Sequence, residues 1–305
     1  MQAHTSVSSP SGGDTFFLQS GIHASPTHRS WALVTGQSTY ALGVTDEGYV
    51  LNLYWGPRLS RIEDLPVPHL PPERASQGPS LTIANEEYPG FGGLRYAELA
   101  AVAVFADTTR DLDLRYAGAE IGEQDGLPTL SLSLQDALYP LRVILRYQVD
   151  HENDLVVRSA HFANAGNDPV VLQRAFSAVW HLPRQFAGRH LHTLAGEWGG
   201  ETRMQSRALV AGTALIESRH GITGAAAYPW FAVTSDAVEQ GGDVYFGTLA
   251  WSGSWAIRVH STITGATAIA GGINDHDFAW HIPPRESFDT PPFVAGFATD
   301  GFNGM

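Results

Sequence analysis

The sequence predicts an all-β fold, a large antiparallel β-sandwich, on three observations. Apolar and polar residues alternate along many short segments, as at Leu130, Leu132 and Leu134, and such alternation is typical of half-buried strands. These segments recur roughly every 8 to 12 residues between turn residues, and no segment with helical periodicity exceeds two turns. Charged residues make up only 16% of the chain, which also has 32 Gly and 18 Pro, so turns are favoured over surface helices.

The predicted strands follow one another along the chain. The first three, residues 30–34, 38–44 and 49–53, are separated by Gly36 and by Asp46-Glu47-Gly48, which predicts hairpins. In residues 141–147 the alternation continues with Arg142 and Arg146 on the opposite face, which predicts a half-buried strand. Turn residues divide the remaining predicted strands, which are residues 155–162, 170–180, 214–218, 231–234, 244–251 and 255–262.

A long segment, residues 57–80, interrupts this pattern. It contains the prolines Pro57, Pro66, Pro68, Pro71, Pro72 and Pro79 and is too long and too rich in proline for a hairpin. Loops of this length without secondary structure are usually functional or disordered. Proline restricts the unfolded chain, which lowers the entropic cost of holding such a loop in one shape. We therefore expect the loop to project from the sandwich.

Composition excludes several classes of function. Acidic residues outnumber basic ones 31 to 18, for a net charge of -13, which repels a phosphate backbone or an anionic membrane, so neither nucleic acid nor membrane is an expected partner. Every basic residue is Arg, and the chain contains no Lys and no Cys. Lysine Schiff bases, P-loop lysines, thiolate nucleophiles, disulfides and cysteine-bound zinc are therefore excluded.

The N-terminal residues 1–16 are rich in Ser, Gly and Pro, and we interpret them as a disordered lead-in to a domain over 17–305. They have no basic start and no apolar core of the kind that an export signal requires. The chain also lacks the roughly 18 to 20 consecutive apolar residues of a spanning helix. Together with the absence of cysteine, this indicates a cytoplasmic protein.

The sequence gives little support for a metal site or for a nucleophilic serine. His181, His190 and His192 lie close in sequence, but a third zinc ligand is not evident and the His-Glu-x-x-His motif is absent, so no metal and no organic cofactor is predicted. Gly-x-Ser-x-Gly is also absent. Its nearest relative, Trp251-Ser-Gly-Ser-Trp255, is interpreted as a hairpin turn.

Aromatic residues beside polar groups suggest contact with sugars. They occur in Tyr54-Trp55-Gly-Pro-Arg58, Glu197-Trp198-Gly199 and Glu86-Glu87-Tyr88-Pro89. Sugar rings stack their C–H faces on Trp or Tyr, while carboxylates and Arg take the hydroxyl groups. The alternative is that Trp55 and Trp198 fill the core of the sandwich, and the sequence leaves both possibilities open.

Many short segments match one protein family in a single colinear order from about Phe17 to Met305. In the first half they are Ser38-Thr-Tyr40, Val50–Gly56, Glu87-Tyr-Pro89 with Gly92 and Arg95, Gly126-Leu-Pro128, Leu134-Gln-Asp136 and Leu145-Arg-Tyr147. In the second half they are Val157-Arg-Ser159 with Asn164, Leu194–Trp198 with Glu201, Ile216–Arg219 with Gly221, Pro229-Trp-Phe231, Gly242–Tyr245, Trp251-Ser-Gly253, Gly272-Ile-Asn274, Phe278-Ala-Trp280 and Thr290-Pro291. The chain resembles the N-terminal domain of bacterial glycoside hydrolase family 36 α-galactosidases.

The resemblance implies a galactose-mutarotase-like β-supersandwich of two large antiparallel sheets. In the family this domain packs on a (β/α)8 barrel that carries both catalytic Asp residues, and in tetrameric members its long loop reaches a neighbouring active site. None of the barrel motifs is present here, so the resemblance implies a chain that is inactive alone. Its partners would be its own catalytic barrel, an α-galactoside oligosaccharide and further copies of the full-length protein.

We therefore favour the non-catalytic N-terminal domain of a retaining α-galactosidase that acts on melibiose- or raffinose-type sugars. The alternatives are a stand-alone carbohydrate-binding module and a purely structural interface domain. No catalytic residue is assigned, and Glu87, Glu197 and Glu201 are expected only to support a groove. The expected substrate contacts are Trp55 at the root of the long loop, Arg58, Asp64 and Arg74 within it, and Trp198.

Overall fold

The computed structural model describes residues 18–71, 81, 84–184, 189–236 and 238–305. Strands and two 3₁₀ turns, Ile62–Asp64 and Gly301–Gly304, are the regular elements of these residues. The strands are β1 (Gly21–Ala24), β2 (Ser30–Val34), β3 (Ser38–Val44), β4 (Val50–Pro57), β5 (Ala101–Val104), β6 (Leu114–Gln124), β7 (Leu127–Asp136), β8 (Leu141–Asp150), β9 (Leu155–Asn164), β10 (Val170–Leu182), β11 (His190–Glu197), β12 (Gly200–Ala208), β13 (Gly212–Ser218), β14 (Trp230–Thr234), β15 (Val244–Leu249), β16 (Trp255–Ser261), β17 (Thr267–Ile273), β18 (Trp280–Ile282), β19 (Ser287–Asp289) and β20 (Phe293–Ala298). The prediction of an all-β fold is confirmed, whereas the predicted lead-in, residues 1–16, lies outside the described residues.

The strands form three sheets. A ten-stranded sheet has the order β12-β11-β14-β15-β20-β9-β8-β7-β6, with β19 beside β9. A six-stranded sheet has the order β13-β16-β17-β10-β18, with β5 beside β10. The first four strands form a third sheet in sequence order. The strands within each sheet pair antiparallel, so the antiparallel sandwich is confirmed, with one sheet more than the two that the resemblance implies.

The predicted hairpins near the N-terminus are present. Strands β2, β3 and β4 pair in succession, and Gly48 takes a positive φ of 90° at the turn between β3 and β4. The predicted hairpin at 251–255 is wrong. Strand β15 lies in the ten-stranded sheet and β16 in the six-stranded sheet, so this segment crosses from one sheet to the other.

An aromatic core joins the three sheets. Trp180 on β10 lies 5.4 Å from Tyr40 on β3, 5.3 Å from Trp55 on β4 and 6.0 Å from Phe293 on β20 between ring centroids. Each of these four side chains is at most 3% exposed. Large buried aromatic side chains contribute much of the apolar area that a core removes from water, so this cluster is a principal contact between the sheets.

A buried ion pair lies beside this aromatic core. Arg158 on β9 and Glu87 are 2% and 0% exposed, and Arg158 Nη2 lies 2.7 Å from Glu87 Oε2. The hydroxyls of Tyr40 and Tyr147 donate to the two Glu87 oxygens at 2.5 and 2.7 Å. Arg158 Nη1 donates to the Val179 carbonyl on β10 at 2.6 Å. Because the charges are paired and hydrogen-bonded, this part of the interior tolerates them.

Within the described residues, no helix is long and apolar enough to cross a membrane.

Candidate functional site

Trp55, expected at the root of the long loop, is a core residue. It is 3% exposed, and its ring lies 5.0 Å from Tyr245 and 5.7 Å from Tyr40. The Tyr245 hydroxyl donates to the Trp55 carbonyl at 3.2 Å. A side chain buried this deeply has no open ring face for a sugar, so its place in the fold corresponds to the core alternative and to anchoring of the loop.

The loop begins with Arg58, whose guanidinium is held by the chain itself. Arg58 Nη1 donates to the Gly36 carbonyl at 2.9 Å, and Nε donates to the Leu18 carbonyl at 2.8 Å. Asp64, in the 3₁₀ turn that follows, pairs with Arg61 at 2.8 Å. Arg74 lies outside the described residues. The described part of the loop is thus fixed to the sandwich at its start, and the Asp64 side chain remains 38% exposed.

Trp198 lies at the tip of the β11–β12 hairpin. Glu197 is paired with Gly200, so Trp198 and Gly199 form the turn, and Gly199 has a φ of 74°, which a residue with a side chain adopts only with strain. Glu201 Oε1 accepts a hydrogen bond from the Gly199 N–H at 3.0 Å and so holds the turn. Trp198 is 96% exposed, so its whole indole is available for contact.

The structure does not join these candidates into one site. Among the described residues, no hydrogen bond, ion pair or ring contact links Trp198 to Arg58 or Asp64. The hairpin tip is exposed, whereas the described start of the loop lies against the four-stranded sheet, where Ile62 and Leu70 are buried, so the expectation that the loop projects is wrong for these residues. Any common role requires a third body, a ligand or another domain, that contacts both.

The glutamates expected to line a groove have different environments. Glu87 is fully buried in the ion pair with Arg158, so the expectation that it lines a groove is wrong. The reason is that Arg158 and two tyrosines compensate its charge in the interior. Glu197 and Glu201 are exposed on the hairpin.

The histidine cluster provides contacts within the fold. His181 Nε2 lies 2.8 Å from the Glu86 carbonyl, and His192 Nε2 lies 2.9 Å from Thr234 Oγ1. Burial lowers the pKa of both imidazoles. No group of three or more His, Asp or Glu side chains among the described residues is arranged to hold a metal ion.

The sequence interpretation missed the exposure of Trp251, because it assigned 251–255 to a hairpin turn. Trp251 is 41% exposed. A methyl group at Gly253 would come within 2.6 Å of Trp251 Nε1, so the indole packs across the glycine. The Trp-Ser-Gly sequence is the signal that could have identified this arrangement.

Comparisons with known proteins agree with the fold. The α-galactosidase AgaA of Geobacillus stearothermophilus is 30% identical over 308 residues, covering 92% of this chain and 41% of that enzyme. The α-galactosidase Mel36A of Lactobacillus acidophilus is 27% identical over 88% of this chain and 40% of its own length. The chain thus spans about two fifths of the curated relatives it matches.

Solved structures extend this agreement to the backbone. The crystal structure of the α-galactosidase AgaB of G. stearothermophilus has a TM-score of 0.85 and 28% identity, covering 93% of this chain and 42% of that one. A variant of AgaA in complex with stachyose has a TM-score of 0.83 and 29% identity, over 90% and 41% of the two chains. The model of the glycosyl hydrolase family 36 N-terminal domain matches residues 48–283. The chain therefore belongs to the glycosyl hydrolase family 36 N-terminal domain family.

Proposed function

We propose that this chain is the non-catalytic N-terminal domain of a retaining α-galactosidase, where it supports oligomerisation and shapes the substrate pocket. The observation that carries the proposal is the match to the family 36 N-terminal domain over residues 48–283. The substrate class is terminal α-galactosyl residues of melibiose- or raffinose-type sugars. It is supported by relatives whose solved structures hold stachyose and raffinose.

The contacts proposed for this role are the start of the long loop and the tip of the β11–β12 hairpin. Arg58 fixes the start of the long loop to the sandwich through the Leu18 and Gly36 carbonyls, and Asp64 lies on this part of the loop with its side chain 38% exposed. Trp198 presents an open indole at the tip of its hairpin. An aromatic ring and a carboxylate are both suited to a sugar, so the loop and the hairpin can each contribute to a pocket completed by a catalytic domain. Trp55 contributes by anchoring the loop.

The remaining partners and the location follow from composition. The net charge of -13 supports a protein without nucleic-acid or anionic-membrane partners. The absence of cysteine supports a cytoplasmic location.

The test uses a full-length α-galactosidase that contains this chain. Deletion of residues 60–76 is expected to change the oligomeric state or to raise KM for raffinose, and Trp198→Ala is expected to raise KM. Trp280→Ala is the matched control, because Trp280 is 49% exposed on β18 and lies on neither the long loop nor the β11–β12 hairpin. Analytical ultracentrifugation and raffinose kinetics are the measurements. If the deletion left both the oligomer and KM unchanged, the proposed role of the loop would be wrong.

A further inference from the structure

Three loops meet at one end of the six-stranded sheet, and we call these loops, residues 219–223, 251–254 and 274–277, together with Glu217 at the end of β13, the Trp251 loop cluster. The Gly221 N–H donates to Ser254 Oγ at 2.9 Å, and the Thr223 N–H donates to the Ser252 carbonyl at 3.0 Å. The Asn274 N–H donates to the Ser254 carbonyl at 3.1 Å. The three loops are therefore bonded into one surface.

Two side chains of this cluster are open to solvent. Trp251 is 41% exposed and the Arg219 side chain is 44% exposed, so core packing does not account for these residues. Exposed polar and aromatic residues that a rigid scaffold holds on loops are typical of binding sites.

The polar groups of the cluster are fixed before any ligand arrives. Buried Asn274 donates through Nδ2 to Glu217 Oε2 at 3.0 Å and also to the Ser218 and Trp255 carbonyls. Arg219 Nη2 lies 2.8 Å from Glu217 Oε1. Burial acts to raise the pKa of Glu217, but the hydrogen bonds from Arg219 and Asn274 outweigh it and lower that pKa. The ionised Glu217 carboxylate, an acceptor, and the Arg219 guanidinium, a donor, are thus held side by side.

The aromatic group is fixed as well. A methyl group at position 253 would lie 2.6 Å from Trp251 Nε1 and 3.0 Å from Cε2, so the indole rests on the glycine backbone in a place that no larger residue permits. A ring held in this way loses little conformational entropy when a ligand stacks on it.

We propose that the Trp251 loop cluster binds a saccharide, the terminal galactosyl unit of an oligosaccharide, which stacks on Trp251 and forms hydrogen bonds with Arg219 and Glu217. The sugar class rests on the proposed function, whereas the position of the site rests on the loop geometry. An aromatic platform on the same hydrogen-bonded surface as an acceptor and a donor matches a sugar, which offers one apolar C–H face and several hydroxyl groups. A stable protein interface instead buries roughly 800 Å² on each partner. Among the described residues, Trp251 and Ile222 are the only exposed large apolar side chains of this cluster, which favours a small ligand over a protein partner.

The test is a titration of this chain alone with raffinose, in which binding is measured by isothermal calorimetry and by indole NMR. We expect saturable binding with a Kd on the order of millimolar, as befits an exposed site for a small ligand. Trp251→Ala is expected to weaken binding at least about fivefold, and Trp280→Ala, the matched exposed tryptophan, is expected to leave it unchanged. Sucrose, which is raffinose without its galactosyl unit, is expected to bind at least about fivefold more weakly.

Two further variants separate a binding role from a folding role. Gly253→Ala is expected to displace the indole, shift its NMR resonance and weaken binding. Gly122→Ala is the control, because nothing lies within 4 Å of a methyl group there. Arg219→Met removes an exposed donor without opening the core and is expected to weaken raffinose binding, so the proposal stays testable even if Trp251→Ala fails to fold.

Several results would overturn the proposal. They are the absence of saturable raffinose binding, equal binding of sucrose, and unchanged binding in Trp251→Ala. Self-association that Trp251→Ala abolishes, without sugar binding, would instead assign the surface to a second copy of the chain. Because this titration needs no catalytic domain, its failure leaves the KM and oligomer tests of the proposed function intact.

Discussion

Arg158 and Glu87 form an ion pair in which the side chains are 2% and 0% exposed, and the groups that satisfy it come from all three sheets. Tyr40 belongs to the four-stranded sheet, Tyr147 to the ten-stranded sheet and the Val179 carbonyl to the six-stranded sheet. Burial, the largest influence, raises the pKa of both tyrosines, so their hydroxyls remain donors. The pair therefore ties the relative positions of the sheets to one hydrogen-bonded group.

The losses of stability from removing the two members of this pair are expected to be strongly non-additive. Arg158→Met leaves a buried carboxylate unpaired, and Glu87→Gln leaves a buried guanidinium, so each should lower the free energy of unfolding by about 3–5 kcal/mol. The double variant should lose less than the sum, because no charge is left unpaired. Urea denaturation of the four proteins measures the cycle, and if a single variant fails to fold, recovery of a cooperative transition in the double variant shows the same coupling.

The control for this cycle is Arg61→Gln. Arg61 pairs with Asp64 at the surface, where its side chain is 70% exposed, and exposed pairs contribute little to stability. No measurable change in the unfolding midpoint is expected. Strictly additive losses in the Arg158 and Glu87 variants would show that the two groups do not depend on each other.

The sequence alone was sufficient to predict the strands that have one face buried and one face toward solvent. Leu130, Leu132 and Leu134 alternate with serines because one face of β7 packs on the core and the other meets solvent. On β10 the alternation is lost, because every residue from Ala175 through Leu182 is buried and the strand is covered on both sides. Periodicity also does not identify the partner of a strand, which is why 251–255 was assigned to a hairpin although β15 and β16 lie in different sheets.

The candidate site was harder to predict for a related reason. Glu87 and Trp55 stand in segments where aromatic residues lie beside polar ones, and such segments suggest a surface. Their burial depends on Arg158, Tyr147 and Trp180, which are distant in sequence and become neighbours only in the fold. Trp198 gives the opposite result, because the turn at Gly199 carries it beyond the body of the sandwich.

Acidification below neutral pH is expected to destabilise the chain through His181. Burial lowers the pKa of this imidazole from its ordinary value of 6.5, and its Nε2 lies 2.8 Å from the Glu86 carbonyl. Between the two pKa values the unfolded chain binds more protons than the folded chain, so stability is fully present above pH 6.5 and falls as the pH decreases toward the folded pKa. His192, whose pKa is also lowered by burial, adds to the same trend.

Urea denaturation at a series of pH values between 7.5 and about 5 measures this slope. His181→Gln keeps a donor for the Glu86 carbonyl and cannot titrate, so the slope should become shallower. His192→Gln should also make the slope shallower, because burial lowers the pKa of His192. If the slope in His181→Gln equalled that of the unaltered chain, His181 would not be a cause of the pH dependence of stability.

The chain alone is expected to hydrolyse no α-galactoside. A retaining glycosidase needs two carboxyl groups about 5 to 5.5 Å apart, one as nucleophile and one as acid and base, each held by a rigid frame. Glu87 is unsuitable because it is buried and paired with Arg158, and Glu201 is engaged with the Gly199 N–H at an exposed turn, where nothing excludes water. Glu197 lies on the same exposed hairpin. An assay of the purified chain with an aryl α-galactoside should therefore give no turnover above a mock preparation. Activity that disappears in Glu197→Gln or Glu201→Gln would place catalysis on the hairpin and contradict the assignment of this domain as non-catalytic.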